Sequence, residues 1–215
     1  YPSDFEYDGR GGYYIADYVQ DCVFRISARG KLLKRIGTQR GAPGQFAGRS
    51  FQVFSSGLMK QQAPRPAGII GVAASQDGTV YVTDAGNRRV QEFGPDGRPK
   101  ARFHPCPDTG GCVPADLLYS NGALYVALYS ARMVVKLDAR TGKRTAVWKP
   151  GAASAAAPCP VCGLGLGPDG SVFATDGENV YKLDRNLKPV KGWNPRALRI
   201  QIGRASCRER VFSSV

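Results

Sequence analysis

Residues 78–97 read Gly-Thr-Val-Tyr-Val-Thr-Asp-Ala-Gly-Asn-Arg-Arg-Val-Gln-Glu-Phe-Gly-Pro-Asp-Gly. The run from Thr79 to Thr83 alternates polar and apolar side chains, which is typical of a strand with one buried face. A polar turn led by Asp84 follows, then a second strand-like run that ends at Phe93 and a turn that contains glycine. The stretch therefore predicts two antiparallel strands joined by a tight turn.

The same pattern occurs four times along the chain. Its copies open at these turn glycines: Gly11, Gly78, Gly122 and Gly170. The intervals are 67, 44 and 48 residues, and without the 18 residues 47–64 the long interval falls to 49. Periods of about 40–50 residues are typical of propeller blades, so we interpret residues 47–64 as an insert in an otherwise regular repeat.

Helical periodicity is lacking. No segment of helical length keeps apolar residues at i, i+3, i+4 and i+7, and the 27 glycines and 15 prolines are spread between short strand-like runs. The pattern predicts an all-β β-propeller made of four-stranded antiparallel blades. One such blade cannot cover its own apolar faces, so blades must stack on one another.

A family resemblance rests on residues 66–91. They read Pro-Ala-Gly-Ile-Ile-Gly-Val-Ala, three further residues, and then Asp-Gly-Thr-Val-Tyr-Val-Thr-Asp-Ala-Gly-Asn-Arg-Arg-Val-Gln. This run resembles an NHL repeat nearly position by position, and the weaker copies extend the resemblance over about residues 1–193. The resemblance implies a propeller with five or six blades. Because only four copies are visible, we expect residues 1–200 to form an incomplete ring.

The last residues differ from the repeats. Residues 202–211, Ile-Gly-Arg-Ala-Ser-Cys-Arg-Glu-Arg-Val, resemble the conceptual translation of a sequencing-library adapter. We therefore expect residues 201–215 to be a non-native tail, to be excluded from fold reasoning. The alternative is a genuine basic tail.

The chain is strongly basic. Its formal net charge is +13 at pH 7, of which residues 202–215 supply +2. A positive surface favours an anionic partner. Arg88, Arg89 and Arg132 recur at corresponding turn or strand-start positions and are the candidate ligand-binding residues. The alternative interpretation is that they are solvated hairpin charges.

Some NHL propellers bind single-stranded RNA on a basic face, so the resemblance implies RNA as an alternative partner. Aromatic side chains do not favour it. They occupy the same strand position in each copy, which indicates blade packing instead of base stacking. These residues are Tyr14, Tyr81, Tyr125 and Phe173.

Two cysteine pairs lie in equivalent inter-blade loops, Cys106 with Cys112 and Cys159 with Cys162. Two local disulfides are the favoured interpretation and would indicate an oxidising compartment, hence an extracellular or cell-surface protein. A four-cysteine zinc site is a second interpretation, since Cys-Pro-Val-Cys is a knuckle sequence, although five residues separate the first pair. Unpaired structural thiols are the third, and spacing alone leaves all three open.

No catalytic residue is predicted. His104 is the only histidine, so these residues cannot build a histidine-rich site. Asp17, Asp84 and Asp176 share one repeat position at a strand end, where Asp ordinarily accepts hydrogen bonds from the following turn. No cofactor is predicted beyond the zinc alternative, and no metal site is assigned.

The sequence thus predicts a non-catalytic binding or scaffold module that recognises a protein or another ligand through loops on a propeller face. The first alternative is single-stranded RNA binding through a basic face. The second is a secreted propeller lyase or lactonase whose active site lies partly in further blades.

Overall fold

A computed structural model describes residues 2–17, 20–39, 44–46, 69–106, 112–129, 131–151, 161, 163–176 and 179–194. These residues form 17 strands. No helix occurs in these ranges, and so no helical membrane span is found there. The all-β prediction is confirmed. The predicted insert 47–64 and tail 201–215 lie outside the described residues.

The chain divides into two compact units, Tyr1–His104 and Pro105–Val215. The first unit holds two four-stranded antiparallel sheets, blade 1 and blade 2. Blade 1 comprises β1 (Pro2–Tyr7), β2 (Gly12–Asp17), β3 (Cys22–Ser27) and β4 (Leu32–Ile36). A parallel pair follows, β5 (Thr38–Gln39) and β6 (Gln45–Phe46). Blade 2 comprises β7 (Ile69–Ala74), β8 (Val80–Asp84), β9 (Arg89–Phe93) and β10 (Pro99–Phe103).

The second unit holds blade 3 and blade 4. Blade 3 comprises β11 (Pro114–Ser120), β12 (Ala123–Leu128), β13 (Met133–Asp138) and β14 (Arg144–Trp148). Blade 4 comprises β15 (Gly163–Leu166), β16 (Val172–Thr175) and β17 (Val180–Leu183). The described residues thus form antiparallel propeller blades, as predicted. They form four blades, fewer than the five or six that the resemblance implied.

The turn glycine that opens each copy explains why the repeat is visible in sequence. Gly78 has a φ of 88° and Gly122 a φ of 75°. Side chains with a Cβ rarely adopt this left-handed backbone, so the tight turn between the first two strands of each blade requires glycine.

The core of the first unit lies between its two blades. Tyr14, Ala16, Val23 and Ile36 of blade 1 form one cluster with Val72, Val80, Val82 and Phe93 of blade 2. Phe46 is fully buried in this cluster, and its ring centroid lies 5.8 Å from that of Phe93. A Cβ on Gly37 would overlap the Phe46 ring, so the absence of a side chain at Gly37 makes room for that ring.

Blade 4 departs from the four-stranded prediction. Its outer position is held by an isolated bridge between Leu183 and Pro189 and by a hydrogen bond from Val190 N to Lys182 O of 3.0 Å. Pro189 has no N–H to donate, and Gly192 has a φ of 77°, so a regular strand cannot continue there. The Trp193 indole instead donates to Val180 O at 2.7 Å.

Candidate functional site

Antiparallel order gives each blade two distinct ends. The turn between the second and third strands lies at one end, together with the connection that leaves the fourth strand; we call it the 2–3 end. The turns between strands one and two and between strands three and four lie at the other end, the 3–4 end. All of the predicted arginines and the Cys106–Cys112 loop belong to 2–3 ends.

Arg88 and Arg132 occupy equivalent turns in different blades. Arg88 precedes β9 of blade 2 and is exposed, with a φ of 56°. Arg132 precedes β13 of blade 3 and is half-buried, with a φ of 52°. A left-handed backbone costs a side chain with a Cβ about 1 kcal/mol or more. Asp21 holds the equivalent position in blade 1 with a φ of 47°, so the left-handed residue belongs to the repeated turn, and it is the arginine side chains that make these two copies the candidate site.

Arg89 lies on the other side of the backbone from Arg88 and is buried. Its Nε lies 2.8 Å from Oδ2 of Asp84, and the two side chains are 6% and 0% exposed. Asn87 Nδ2 and Gln91 Nε2 donate to the same oxygen at 2.8 and 3.0 Å. The structure therefore does not bring the two adjacent arginines together. Arg89 instead stabilises the turn that carries Arg88.

The other repeated aspartates have the role predicted for them. Oδ1 of Asp17 accepts a hydrogen bond from Gln20 N, and Oδ1 of Asp176 accepts one from Asn179 N, each at 2.8 Å. Tyr181 Oη also donates to Asp176 at 2.8 Å. The prediction that these aspartates are turn acceptors is confirmed.

Cys106 and Cys112 form a disulfide with a Cα–Cα distance of 5.6 Å. The favoured interpretation is confirmed for this pair, and a bridged pair supplies no thiolate to zinc. Cys159 and Cys162 lie outside the described residues. Within the described ranges no group of three or more His, Cys, Asp or Glu side chains is placed to hold a metal. His104, beside this loop, is exposed.

Sequence reasoning missed two carboxylates that join neighbouring blades. Oδ2 of Asp4 on β1 accepts a hydrogen bond from Val72 N of β7 at 2.8 Å. Within the second unit, Oδ2 of Asp116 on β11 accepts one from Leu164 N of β15 at 2.7 Å. The available signal was the Pro-x-Asp run that begins both first strands, at Pro2 and at Pro114.

The contact of Asp4 with blade 2 is accompanied by raised pKa values of two carboxyl groups on β1, those of Asp4 and Glu6. Burial raises the pKa of Asp4 despite the hydrogen bonds that it accepts. Glu6 lies two residues along β1, on the same face. Burial, with a further contribution from the Asp4 charge, raises the pKa of Glu6 to about 7.

Comparison with known proteins identifies the repeat and the fold. Residues 67–93 match the model of the NHL repeat family. This match and the antiparallel blades confirm the resemblance to NHL-repeat propellers. A comparison with curated protein sequences gave no match.

Three solved structures with a similar fold are the Kuenenia stuttgartiensis hydrazine synthase, the RRP9 WD40 repeats, and the virginiamycin B lyase from Staphylococcus aureus. Their TM-scores are 0.58, 0.60 and 0.56, with 13%, 11% and 16% sequence identity. The alignments cover 85%, 84% and 86% of this chain and 46%, 47% and 54% of those chains. The chain thus spans about half the length of these structures, and the similarity shows the fold alone.

Proposed function

We propose that this NHL-repeat β-propeller is a non-catalytic binding module that recognises an acidic surface of a protein partner through the 2–3 ends of its blades. The observation that carries the proposal is the exposed Arg88 in a left-handed turn, backed by the buried pair of Asp84 and Arg89. The pair fixes the backbone beneath the turn. Binding therefore has to order the Arg88 side chain but not the backbone that carries it.

Guanidinium chemistry suits an acidic protein surface. The planar fork of arginine matches a carboxylate with two parallel hydrogen bonds, which a lysine cannot provide. Arg132 occupies the equivalent turn of blade 3, so each unit carries a guanidinium group at this kind of turn.

The repeated polar side chains argue against catalysis by these blades. Asp17, Asp84 and Asp176 satisfy turn amides or side chains within their own blades. Chemistry requires different groups that converge on one reacting atom, whereas these groups repeat one structural role. The virginiamycin B lyase shares the fold at 16% identity over about half its length, and this likeness carries no catalytic role to the present chain.

RNA binding remains the alternative for the same cations, since phosphates also attract arginine. Single-stranded nucleic acid additionally requires exposed aromatic faces. Tyr14, Tyr81 and Tyr125 are only 2%, 5% and 2% exposed, so these residues offer no stacking surface. Exposed rings occur in blade 1, but Tyr7 and Tyr13 lie at its 3–4 end and Phe5 lies within β1, so none lies at the 2–3 end of that blade. This arrangement favours a protein partner.

The disulfide bears on where such a module works. Disulfides form and persist in oxidising compartments, so the bond between Cys106 and Cys112 supports a secreted or cell-surface location for this function.

The test uses a labelled peptide of six glutamates as probe, with fluorescence anisotropy as readout. We expect the Arg88→Glu/Arg132→Glu variant to lose about tenfold or more in affinity, since each site exchanges attraction for repulsion. The matched control is Lys31→Glu/Arg98→Glu, with the same charge change at 3–4 ends, and should lose less than about threefold by long-range repulsion alone. Equal losses in both variants, or tighter binding of an oligouridine of equal length, would overturn the proposal.

A further inference from the structure

A cation recurs at the 3–4 end of every described blade. It directly follows the left-handed residue of the turn between the third and fourth strands, and each copy is exposed. The four residues are Lys31, Arg98, Lys143 and Lys188, which follow Gly30, Gly97, Gly142 and Leu187. The shared turn geometry presents these charges alike in each blade, on the side away from Arg88 and Arg132.

In the second unit, this turn of blade 4 is docked on blade 3. Tyr125 Oη donates to Arg185 O at 2.9 Å, and Lys136 Nζ donates to Asn186 Oδ1 at 3.4 Å. These contacts come from a pair that stacks within blade 3, since Lys136 Nζ lies 5.7 Å from the Tyr125 ring centroid. The turn is therefore held in place and carries Arg185 and Lys188 at its surface.

Beside the turn, blade 4 has an open cleft of about 320 Å³. Its lining combines five polar or charged residues with Gly170 and Val190; the five are Asp169, Ser171, Lys182, Asp184 and Arg185. A Cβ on Gly170 would lie 3.2 Å from Nη2 of Arg185, so the guanidinium extends over the glycine at the edge of the cleft.

The acids at this cleft are engaged in the blade's own turns. Asp184 Oδ1 accepts hydrogen bonds from Asn186 N and Lys188 N, each at 2.8 Å. Oδ2 of Asp169 lies 2.8 Å from Lys182 Nζ. Among the described residues, no carboxylate pairs with the Arg185 guanidinium, which is exposed. The cleft therefore offers a cation to an incoming anion and polar side chains to neutral hydroxyl groups.

We propose that this cleft and its turn, which we call the blade-4 cleft, bind an acidic polysaccharide. One sugar ring occupies the cleft, where a hydroxyl group donates to the Asp169 carboxylate, whose side chain is 53% exposed. Its sulfate or carboxylate group binds Arg185, and the next charged unit of the polymer binds Lys188. A sulfated or uronate polymer carries an anionic group on successive units, which suits the two exposed cations that this one turn presents, Arg185 and Lys188.

Two observations favour a polysaccharide over a nucleic acid. The disulfide between Cys106 and Cys112 supports a location outside the cell, where acidic polysaccharides are abundant. Phe173 packs against the cleft residue Lys182 on one side, and its ring centroid lies 5.6 Å from that of Trp193, so it offers no open face to a base.

The experiment measures binding of a labelled heparin dodecasaccharide to the whole chain at about 50 and about 200 mM salt. We expect binding that weakens with salt, and a loss of about tenfold or more in the Arg185→Glu/Lys188→Glu variant. The matched control is Arg88→Glu/Arg132→Glu, which makes the same change in net charge at the 2–3 ends and should lose less than about threefold.

A second variant separates local chemistry from net charge. Arg185→Gln removes one positive charge without adding repulsion, and we expect a loss of about threefold to tenfold in heparin affinity, with an unchanged thermal midpoint. Equal losses in both double variants, no binding at low salt, or tighter binding of a 12-nucleotide oligouridine would overturn the proposal. The hexaglutamate result is independent, because that probe reports on Arg88 and Arg132.

Discussion

Nε of Arg89 lies 2.8 Å from Oδ2 of Asp84, and both side chains are withdrawn from solvent. Desolvation opposes most of the Coulomb attraction within such a pair, so the pair adds little net stability. Removal of one partner is different, because it leaves the other charge buried without compensation. Substitution of either Asp84 or Arg89 is therefore expected to destabilise the turn that carries Arg88.

Asp84→Ala should lower the free energy of unfolding by about 3–5 kcal/mol, because it removes the carboxylate that lies 2.8 Å from the buried Arg89 guanidinium. Urea unfolding followed by fluorescence measures this change. The control is Asp96→Ala, whose side chain is 58% exposed and lies 3.5 Å from Arg98; its loss should be about 1 kcal/mol or less. Equal losses would show that burial does not govern the Asp84 pair.

Arg88→Gly should be more stable than Arg88→Ala by about 1 kcal/mol, because alanine keeps a Cβ in the left-handed backbone and glycine does not. Both variants remove the same charge, so both should bind hexaglutamate equally weakly. Thermal unfolding and anisotropy on the same samples check the two expectations. Equal stability of the two variants would show that the left-handed backbone at this position is not strained.

Phe46→Ala should lower the free energy of unfolding by about 3–5 kcal/mol, since it opens a cavity between blades 1 and 2. The matched control is Phe5→Ala, which removes the same atoms from a side chain that is 70% exposed and should cost less than about 0.5 kcal/mol. Chemical denaturation of both variants gives the comparison. A small loss at Phe46 would mean that the inter-blade connection is not part of the core.

Glu6 should make stability depend on pH in an unusual direction. Its folded pKa of about 7 lies above its ordinary value of 4.5, so the folded state holds the proton more tightly than the unfolded state. The contribution of Glu6 to stability is therefore complete below pH 4.5 and is lost as pH rises through about 7. Glu6→Gln should remove this decline and raise stability above pH 7 by about 1 kcal/mol, a value discounted because the side chain is half-buried.

The pH dependence of unfolding for Glu6→Gln and the unchanged chain provides the measurement. The difference between the two proteins matters, because other carboxyl groups titrate in both. Parallel curves across the interval would contradict the raised pKa.

Reduction of the bond between Cys106 and Cys112 should lower the free energy of unfolding by about 2–3 kcal/mol, as expected for a short closed loop. The Cys106→Ser/Cys112→Ser variant should reproduce the loss and should no longer respond to reductant at this site. Peptide mass analysis without reductant identifies the linked pair directly. Free thiols at both positions in protein kept from reductant would contradict the bond.

The sequence pattern predicted the features that depend only on neighbouring residues, namely strands and tight turns. Alternation around Tyr81 predicted its strand, and the repeated Asp17 and Asp176 predicted turns closed by their own amides, because each needs only neighbouring residues. Arg88 and Arg89 show the limit of such reasoning. The two are adjacent residues of the same type. Only the strand register, which places Asp84 opposite Arg89, decides which of them is buried.

Contacts between blades were harder to predict, because they join residues that are far apart in the sequence. The bond from Val72 N to Asp4 spans 68 residues, and that from Leu164 N to Asp116 spans 48. Neither leaves a periodic signal within one strand. The cation after each third-to-fourth-strand turn was visible in the sequence, but its grouping beside a cleft in blade 4 depends on how the turn at Arg185 docks on Tyr125.

The amides of Val72 and Leu164 are bonded by carboxylates that belong to a different blade. Separation of two blades therefore opens these amides to deuterium exchange even while each sheet keeps its own ladder. Their exchange rates measure how often blade 1 parts from blade 2, and blade 3 from blade 4, without any added probe. In each unit this exchange therefore reports on a pair of blades, which is twice the length of the repeat that is written in the sequence.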